Sequence, residues 1–343
     1  MKSLLITGGA GFIGSHVVQH FLTHYPQYTI INLDKLGYAG NVSNMQGFFD
    51  HPRHIFIKGD IIDKFMVEKI FVDYDISGVI HLAAESHVDN SIHAPDVFIQ
   101  SNIVGTFTLL EAAKKHWRGN KKDNRFYHIS TDEVFGALGA TGHFTEDSPY
   151  LPNSPYSASK ASSDHLVRSF VKTYDLNAVI THCSNNYGPH QHAEKFIPTV
   201  IRNALLKRPI PIYGNGKNVR DWLYVEDHCR AIDVVFHQAQ PGENYNIGGN
   251  NELSNIELAT HLCQQLDQIL PWGEQYASLL NYVKDRPGHD FRYAVSTQKI
   301  QQRFQWQPRY TFSQALHNTL AYYIQQATQS MRDKDQKSCD VPA

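Results

Sequence analysis

The chain of 343 residues has few cysteines and no long apolar run. None of the four cysteines (Cys183, Cys229, Cys263 and Cys339) forms a Cys-x-x-Cys pair, which argues against a zinc ribbon, a thioredoxin-type site or a disulfide framework. No apolar stretch approaches the roughly 18 residues of a membrane span. The short run Leu4–Ile6 meets glycine too early to be the core of a signal peptide. We therefore expect a cytoplasmic protein without a membrane partner or a metal site.

The chain also lacks an excess of charge of either sign. Lys and Arg number 31 against 33 Asp and Glu, a net charge of -2. Because nucleic-acid-binding proteins normally carry a basic excess, we do not expect a nucleic-acid partner. The length and the 41% hydrophobic content suit one large α/β unit or two modest domains. The twenty histidines are unusual, and we expect most of them to be solvated at the surface.

The first half of the chain alternates short apolar runs with segments of helical spacing. Such alternation is typical of a parallel sheet covered by helices on both faces. It predicts an α/β fold with a doubly wound Rossmann-type sheet. The strands are expected near 4–6, 28–33, 54–57, 79–82, 126–129 and 178–182, and the helices near 13–22, 97–113 and 156–174.

A glycine-rich segment follows the first predicted strand and opens the first predicted helix. Its glycines, Gly8, Gly11 and Gly14, are spaced to let the backbone approach a pyrophosphate, and the helix N-terminus offers N–H groups to the phosphates. Twenty residues after Gly14, at the end of the second predicted strand, Asp34 suits the ribose hydroxyls of NAD and repels the 2′-phosphate of NADP. NAD is therefore the predicted cofactor. A less specific position after the third strand is expected to bracket the adenine: Asp60 and Ile61.

Tyr156 and Lys160 form a Tyr-x-x-x-Lys pair within the third predicted helix. Residues four apart lie on the same helix face, so the ammonium group is expected beside the phenol. A neighbouring positive charge favours phenolate, which predicts a lowered pKa for Tyr156. Such a tyrosine suits the removal of a proton from a substrate hydroxyl as hydride leaves the carbon.

The segment Ser130-Thr131-Asp132-Glu133 follows a predicted strand and so lies at the ligand-binding edge of the sheet. The Thr131 hydroxyl is placed to bind the oxygen that Tyr156 deprotonates. A plain ketoreductase needs Ser or Thr, Tyr and Lys, but not a pair of carboxyl groups. Because neighbouring carboxyls in different environments can hold different protonation states, Asp132 and Glu133 suit opposite roles as acid and base.

Composition divides the chain after residue 186, where proline, glycine and asparagine become frequent. We predict that residues 1–186 form the Rossmann-type domain that binds NAD and carries the catalytic residues. Residues 187–325 are predicted to form a smaller mixed α/β region that binds the substrate, with some segments returning to the first domain, 221–236 foremost. Residues 326–343 are predicted to be a polar, disordered tail.

These motifs together resemble the extended short-chain dehydrogenase/reductases and, within them, the nucleotide-sugar 4,6-dehydratases. The resemblance covers about residues 2–322. It is carried by the segments 8–14, 82–89, 130–136, 154–160, 183–189, 220–228 and 285–290.

The resemblance implies an NAD-dependent hydro-lyase acting on a nucleoside-diphosphate hexose, with dTDP-glucose as the expected substrate. Tyr156 takes the proton of the 4-hydroxyl as NAD⁺ accepts hydride from C4. Glu133 then removes the acidified C5 proton, and Asp132 protonates the departing 6-hydroxyl. Hydride return to C6 gives the 4-keto-6-deoxy sugar, an intermediate suited to deoxysugar biosynthesis.

The resemblance also implies ligand-binding residues beyond the motifs derived above. For NAD these are Phe12, Ile13, Lys35, Leu36, Leu82, Ala83, Ala84, Ser101, Tyr156, Lys160 and Asn186. For the nucleotide sugar they are Ser86, His87, Thr131, Asn185, Glu194, Lys195, Phe196, Pro211, Tyr213, Arg220, Asn255, Arg286 and His289. Basic residues are required because the diphosphate is anionic. Pairing of Arg220 with Asp221 in a fold-supporting cluster is the alternative for that residue.

Three positions depart from the family pattern. Phe135 stands where tyrosine is usual, Gly37 where threonine is usual, and His192 with Ala193 where aromatic and proline residues are usual. The last pair borders the expected phosphate site, so nucleotide preference is the property it affects most.

Two other functions fit the same scaffold. A nucleotide-sugar 4-epimerase or decarboxylase would keep Tyr156 and Lys160 but has no need of the Asp132–Glu133 pair. A nonenzymatic NAD-sensing protein would be expected to have lost part of the Thr131, Tyr156 and Lys160 set. A homodimer is expected, built by the helices near 99–113 and 156–170 packing into a four-helix bundle.

Overall fold

The computed structural model describes residues 2–118, 124–285 and 288–339. Its strands, in chain order, are β1 (Lys2–Thr7), β2 (Tyr28–Asp34), β3 (His54–Lys58), β4 (Ile76–His81), β5 (Arg125–Thr131), β6 (Ala178–Cys183), β7 (Asn185–Tyr187), β8 (Ile210–Tyr213), β9 (Val219–Tyr224), β10 (Asn244–Ile247), β11 (Glu252–Ser254) and β12 (Leu280–Val283). Its α-helices are α1 (Phe12–His24), α2 (Lys64–Asp73), α3 (Val88–His93), α4 (Pro95–Phe98), α5 (Gly105–His116), α6 (Pro155–Tyr174), α7 (Phe196–Leu205), α8 (Val225–Gln238), α9 (Asn255–Ile269), α10 (Gln298–Phe304) and α11 (Phe312–Cys339). Short 3₁₀ helices occupy 42–45, 132–135 and 276–279, and a π-helix spans Ile99–Val104.

Seven parallel strands form the main sheet in the order β10-β6-β5-β4-β1-β2-β3. Apolar residues cover both faces, which is why the strands are continuous buried runs rather than alternating ones. One core packs α1 and α8 on one face of the sheet. A second core packs α2, α5 and α6 on the other. The predicted doubly wound Rossmann-type architecture is confirmed, together with its six predicted strands.

The second half of the chain returns to the sheet at a different place from the one predicted. Residues 221–224 belong to β9, which lies in a separate three-stranded sheet of order β11-β9-β7. Helix α8 does pack on α1, and β10 then pairs in parallel with β6 as the seventh strand. Strand β10 is difficult to recognise because two of its four residues are asparagines, although Asn246 is fully buried and donates to the Phe144 carbonyl.

The remainder of the second half is a mixed α/β region beside the carboxyl edge of the sheet. It contains the β11-β9-β7 sheet, in which β9 pairs antiparallel with β11 and parallel with β7. A two-stranded parallel sheet pairs β12 with β8. Helices α7, α9 and α11 pack together around these strands.

The segment predicted as a disordered tail is helical over most of its length. Helix α11 continues through residues 326–339, whereas residues 340–343 lie outside the described part of the chain. The segment is polar, but its Gln, Ala, Met, Lys and Arg residues all have good helix propensity, which explains how it extends a helix already started by packed residues. No helix among the described residues is both long and apolar enough to cross a membrane.

Candidate active site

The carboxyl ends of the central strands open onto a cleft of about 300 Å³. It gathers most of the predicted cofactor and catalytic residues, although they are spread over the first half of the sequence. Predicted residues that line it are Gly8, Gly11, Phe12, Ile13, Gly14, Asp34, Lys35, Asp60, Ile61, Leu82, Ala83, Ala84, Ser86, Ser101, Thr131, Asp132, Glu133, Tyr156, Lys160, Asn185, Asn186 and Lys195.

One end of the cleft is a glycine cradle between β1 and α1. Gly8 has a φ of +77°, and a Cβ there would lie 2.7 Å from the Ala83 nitrogen. A Cβ on Gly14 would lie 2.0 Å from the Gly8 oxygen. The helix begins after Gly11, which has no side chain to cap the first N–H groups. The cradle therefore fits a pyrophosphate held by backbone N–H groups, as NAD requires.

Asp34 ends β2 beside this cradle and is held in place by the backbone. Its two carboxylate oxygens accept from the Ala10 nitrogen at 3.0 Å and the Leu36 nitrogen at 2.8 Å. Burial raises the pKa of Asp34, and these two backbone hydrogen bonds oppose that rise. Leu36 does not line the cleft; among the described residues it packs against the core, and only its N–H serves Asp34.

Lys35 connects three sides of the cleft. Its Nζ lies 2.8 Å from Glu85 Oε1 and 4.0 Å from Asp60 Oδ2, and it donates to Ser101 Oγ at 3.0 Å. Ser101 lies in the π-helix, a distortion often found at functional sites. Glu85 lies in the 82–89 segment on which the resemblance rests, and it lines the cleft.

The three residues after the fifth strand have three different environments. Thr131 is the N-cap of the short 132–135 helix, and its Oγ1 accepts from the Glu133 nitrogen at 3.3 Å. Asp132 is 2% exposed, and burial, with the neighbouring Glu133 charge adding to it, raises the pKa of Asp132 well above its usual value. Glu133 is partly exposed. Asp132 is thus placed to remain protonated while facing the cleft, the condition of a general acid.

The predicted lowering of the Tyr156 pKa is wrong for the ligand-free chain. Burial raises it well above its usual value, and the negative charge of Glu133 adds to the rise. The Lys160 ammonium does not dominate the phenol, because Lys160 Nζ donates to the Ile129 carbonyl at 2.8 Å. A hydrogen bond with Thr131 acts in the lowering direction. Tyr156 is therefore a protonated phenol before ligands enter.

The wall facing the catalytic residues comes from the 184–195 segment. Lys195 Nζ donates to the Ser86 carbonyl at 3.1 Å, so the segment reaches across to the loop after β4. The Glu194 carboxylate lies 3.6 Å from His87 Nε2 and 3.5 Å from His192 Nδ1. His192, which departs from the family pattern, lies edge-on to Tyr38 with ring centroids 5.4 Å apart.

The remaining predicted substrate residues do not line the cleft in the described part of the chain. They are His87 at the N-cap of α3, Glu194 in the 184–195 segment, and the second-half residues Phe196, Pro211, Tyr213, Arg220, Asn255 and His289. Arg286 lies outside the described residues.

Two contacts show how these outer residues are arranged. The rings of Tyr213 and His289 meet edge-on, with centroids 6.5 Å apart. The buried Arg220 donates to the Val219 and Phe291 carbonyls, and its charge acts on Asp132. The alternative of an Arg220 pair with Asp221 is not supported, since the Asp221 carboxylate accepts from the backbone N–H groups of residues 249 and 251.

Several lining residues escaped the sequence prediction because they are side chains of ordinary type on predicted strands or loops. They include Tyr38, Cys183, Ser184 and Gln191. Five histidines expected at the surface are instead buried: His54, His81, His128, His182 and His228. Phe135 is also buried, and its ring lies against His182, with centroids 4.8 Å apart.

Comparison with known proteins agrees with this geometry. Residues 5–319 match the family model described as GDP-mannose 4,6 dehydratase, so the chain belongs to that family of nucleotide-sugar dehydratases. The dTDP-glucose 4,6-dehydratase of Neisseria meningitidis serogroup B is 49% identical over 337 residues, covering 96% of this chain and 95% of the relative.

Two solved structures share the fold over nearly their whole length. The dTDP-glucose 4,6-dehydratase of Bacillus anthracis in complex with NAD has a TM-score of 0.85 and 44% identity, covering 95% of this chain and 97% of that one. The enzyme of the same name from Streptomyces venezuelae, with NAD and dTDP bound, has a TM-score of 0.87 and 42% identity, covering 94% and 97%.

Proposed function

We propose that the chain is an NAD-dependent hydro-lyase that converts dTDP-glucose to dTDP-4-keto-6-deoxy-glucose and water. The observation that carries this proposal is the Asp132–Glu133 pair, set beside Thr131 and Tyr156 at the catalytic end of the cleft. An epimerase or decarboxylase needs a proton acceptor on the 4-hydroxyl but no acid and base for loss of water. The dTDP-glucose dehydratases among its relatives support the substrate.

NAD is the resident cofactor, and when bound it supplies the oxidant for C4 and returns the hydride to C6. The glycine cradle holds its pyrophosphate and Asp34 its adenosine ribose, with Asp60 and Ile61 beside the adenine. Lys160 and Asn186 line the cleft toward the catalytic end. The cofactor is regenerated within each turnover, so it can stay bound from one cycle to the next.

Tyr156 and Thr131 handle the proton of the 4-hydroxyl. Thr131 binds the 4-oxygen and Tyr156 Oη accepts its proton as the C4 carbonyl forms. Burial raises the pKa of the Tyr156 phenol, and the hydrogen bond with Thr131 acts against that rise. Lys160, the cationic side chain one turn away, is the group of this chain that favours phenolate.

Asp132 and Glu133 carry the elimination. Once C4 is a carbonyl, Glu133 takes the proton of C5, and the electron pair of that C–H bond forms the C5–C6 double bond. The C6–O bond breaks as Asp132 gives its proton to the departing hydroxyl, and water leaves. The burial that keeps Asp132 protonated and the partial exposure of Glu133 match these opposite roles.

The substrate's nucleotide end is assigned to the second half of the chain, with residues 1–186 forming the catalytic unit and 187–325 the substrate region. Ser86 and Asn185 contact the sugar. Lys195, Arg220, Arg286 and His289 hold the diphosphate and nucleoside, and Tyr213 flanks the base. Support comes from the position of Ser86, Asn185 and Lys195 on the cleft lining and from the Tyr213–His289 contact.

The assay that tests the function is incubation with dTDP-glucose, UDP-glucose, CDP-glucose and GDP-mannose. We expect the alkaline absorbance of a 4-keto-6-deoxy product with dTDP-glucose first and the others far behind. Tyr156→Phe is the matched control for background absorbance. Absence of product with all four nucleotide sugars would overturn the proposal, and a preference for another nucleotide would correct its substrate.

We also propose a cytoplasmic homodimer. The three described cysteines are free and buried, which suits a reducing compartment. On the predicted dimer helices, Ile99 is 49% and Phe107 is 45% exposed, a large apolar surface for an unpartnered face. Phe107→Glu should convert a dimer into a monomer in light scattering, while Phe65→Glu, 86% exposed on the separate helix α2, should not.

A further inference from the structure

A buried carboxylate lies behind the catalytic residues and has no part in the chemistry above. Asp164 follows Lys160 by one turn of α6 and is fully buried. Its Oδ2 accepts from Ser130 Oγ at 2.9 Å and lies 3.2 Å from His182 Nε2. Its Oδ1 lies 3.1 Å from His128 Nε2. The carboxylate therefore ties α6 to β5 and β6 directly beneath the catalytic end of the cleft.

Lys160 makes a parallel connection one turn earlier. It is 4% exposed, and its Nζ donates to the carbonyl of Ile129, the residue before Ser130. Ile129 accepts from Lys160, and Ser130 donates to Asp164. Two consecutive residues of β5 are thus hydrogen-bonded to two residues of α6 that lie four apart in the sequence. Because both helix residues are ionisable and buried, each needs an opposite charge nearby to stay ionised.

Asp164 and Lys160 lie one turn apart on α6 and contact neighbouring residues of β5, so their opposite charges act on each other across the cluster. Burial, with the charge of Lys160 adding to it, lowers the pKa of His128 to about 4, so this imidazole is neutral at pH 7. Burial opposes ionisation of Asp164, but hydrogen bonds from His128 and His182 hold the pKa of Asp164 well below its usual range. Burial lowers the pKa of Lys160, and the charge of Asp164 acts against that lowering.

We propose that Asp164 is a positioning residue whose buried carboxylate is the counter-ion that keeps Lys160 charged and fixed at the catalytic end of the cleft. This deepens the proposed function, on which it rests for the role of Lys160 beside Tyr156. Asp164 itself does not reach the cleft lining of the described chain. It acts through Lys160, while Ser130 donates to its carboxylate, and His182 and His128 lie 3.2 Å and 3.1 Å from the carboxylate oxygens.

Other titratable groups surround Asp164 and Lys160, so the pH range of the test must be one in which the titration of Lys160 can be told apart from theirs. They are Tyr156 on α6, His81 on β4, His128 on β5, Cys183 and His182 on β6, Asp132 and Glu133 on the short helix, and Tyr150 before α6. Imidazoles ordinarily lose their proton near pH 6.5 and carboxyls near 4. Thiols and phenols ordinarily titrate at about 8.5 and 10, but wild type and Asp164→Asn share them, so the difference between the two proteins from about pH 7.5 to 10 follows mainly the lysine.

The first test uses protein stripped of cofactor and measures thermal stability. Asp164→Asn should lower Tm by about 5 °C or more, because it leaves the Lys160 charge buried without its counter-ion. Adding Lys160→Met should recover much of that loss. The control is Tyr127→Phe, which removes a buried hydrogen bond of 3.0 Å to Thr181 but no charge at neutral pH.

The proposal also predicts the direction in which the stability of Asp164→Asn changes with pH. In Asp164→Asn the lysine binds its proton less tightly in the folded than in the unfolded chain, so stability rises with pH until the unfolded lysine titrates near 10.4. The Tm deficit against wild type should therefore narrow from pH 7.5 toward pH 10. A deficit independent of pH, or a double variant no more stable than Asp164→Asn, would overturn the proposal. If Asp164→Asn does not fold and the double variant does not fold either, the proposal is likewise overturned.

The second test measures turnover of dTDP-glucose against pH. In Asp164→Asn the alkaline limb of kcat should move down by about one pH unit or more, with KM changed less than about twofold. Tyr127→Phe should leave the limb where it is. An unmoved limb in Asp164→Asn would reject the role for Lys160. Wild-type protein inactive on every nucleotide sugar would instead reject the proposed function, and the stability cycle on stripped protein would still decide the inference.

Discussion

The two sides of the cleft are built in different ways. On the first-half side, Gly8, Asp34, Thr131 and their neighbours follow the ends of parallel strands, and each is held by backbone hydrogen bonds or burial. The second-half residues assigned to the nucleotide, Tyr213 and His289, lie outside the cleft lining on short or irregular elements; their rings meet edge-on, and Tyr213 is 42% exposed. Strand ends place atoms rigidly, whereas loops adapt.

This difference indicates a division of labour. Chemistry that depends on short distances between reacting atoms needs the rigid side, where Tyr156, Asp132 and the cradle lie. Recognition of a nucleotide tolerates more movement and suits the looser side. Substitutions on the first side should therefore act on kcat or cofactor retention, and substitutions on the second side on KM.

Tyr156→Phe gives the largest expected loss. Removing the hydroxyl that accepts the 4-hydroxyl proton should lower kcat by about 10³-fold or more, with the fold and NAD content unchanged. Product formation and cofactor extraction on the same preparation would measure both. A loss below tenfold would mean that another group takes the proton.

Glu133→Gln and Asp132→Asn should separate oxidation from dehydration. We expect each to lower product formation by about 10²-fold while C4 oxidation continues, so reduced nicotinamide accumulates after dTDP-glucose is added. Stopped-flow absorbance of the reduced cofactor against product yield checks this. Equal loss of reduced cofactor and of product would mean that these residues act in binding rather than in elimination.

Asp34→Asn tests the cofactor side of the comparison. Loss of the charged acceptor for the ribose should weaken NAD binding by about 10- to 100-fold. The measurement is calorimetric titration of NAD into stripped protein, with Asp50→Asn on the exposed surface as the matched control. Unchanged affinity would place the ribose elsewhere.

Tyr213→Ala should give the smallest effect and one of a different kind. Losing an aromatic face against the base should raise KM for dTDP-glucose by about fivefold or more, with kcat nearly constant. Tyr282→Ala on the paired strand β12 serves as control. A fall in kcat with constant KM would show that the two sides are not separable in this way.

The first-half strands could be predicted because each is a continuous apolar run with a chemical motif at its end. Asp34 and the Thr131–Glu133 segment were located by that rule alone. Strand β10 could not, since its polar residues find buried partners that are distant in sequence, such as Glu146 and Phe144. Burial of a polar side chain depends on tertiary partners, which periodicity does not reveal.

The buried cluster beneath the site shows a second limit. Asp164 lies four residues after Lys160 and eight after Tyr156, so helical spacing alone places it on the same buried face. Its identity as a carboxylate argues against burial, and its partners on β5 and β6, together with the nearby Lys160, account for it. The same neglect of burial produced the wrong expectation for the Tyr156 pKa.

The late arrival of β10 has a consequence for how the chain acquires its fold. Until residues 244–247 emerge during synthesis, β6 is an open strand edge that bears the apolar residues Val179 and Ile180. The nascent first half is thus exposed to mispairing for about sixty residues of further translation, a few seconds at ordinary rates. Expression of residues 1–186 alone should yield aggregates, because the strand that pairs with β6, β10, belongs to the second half of the chain.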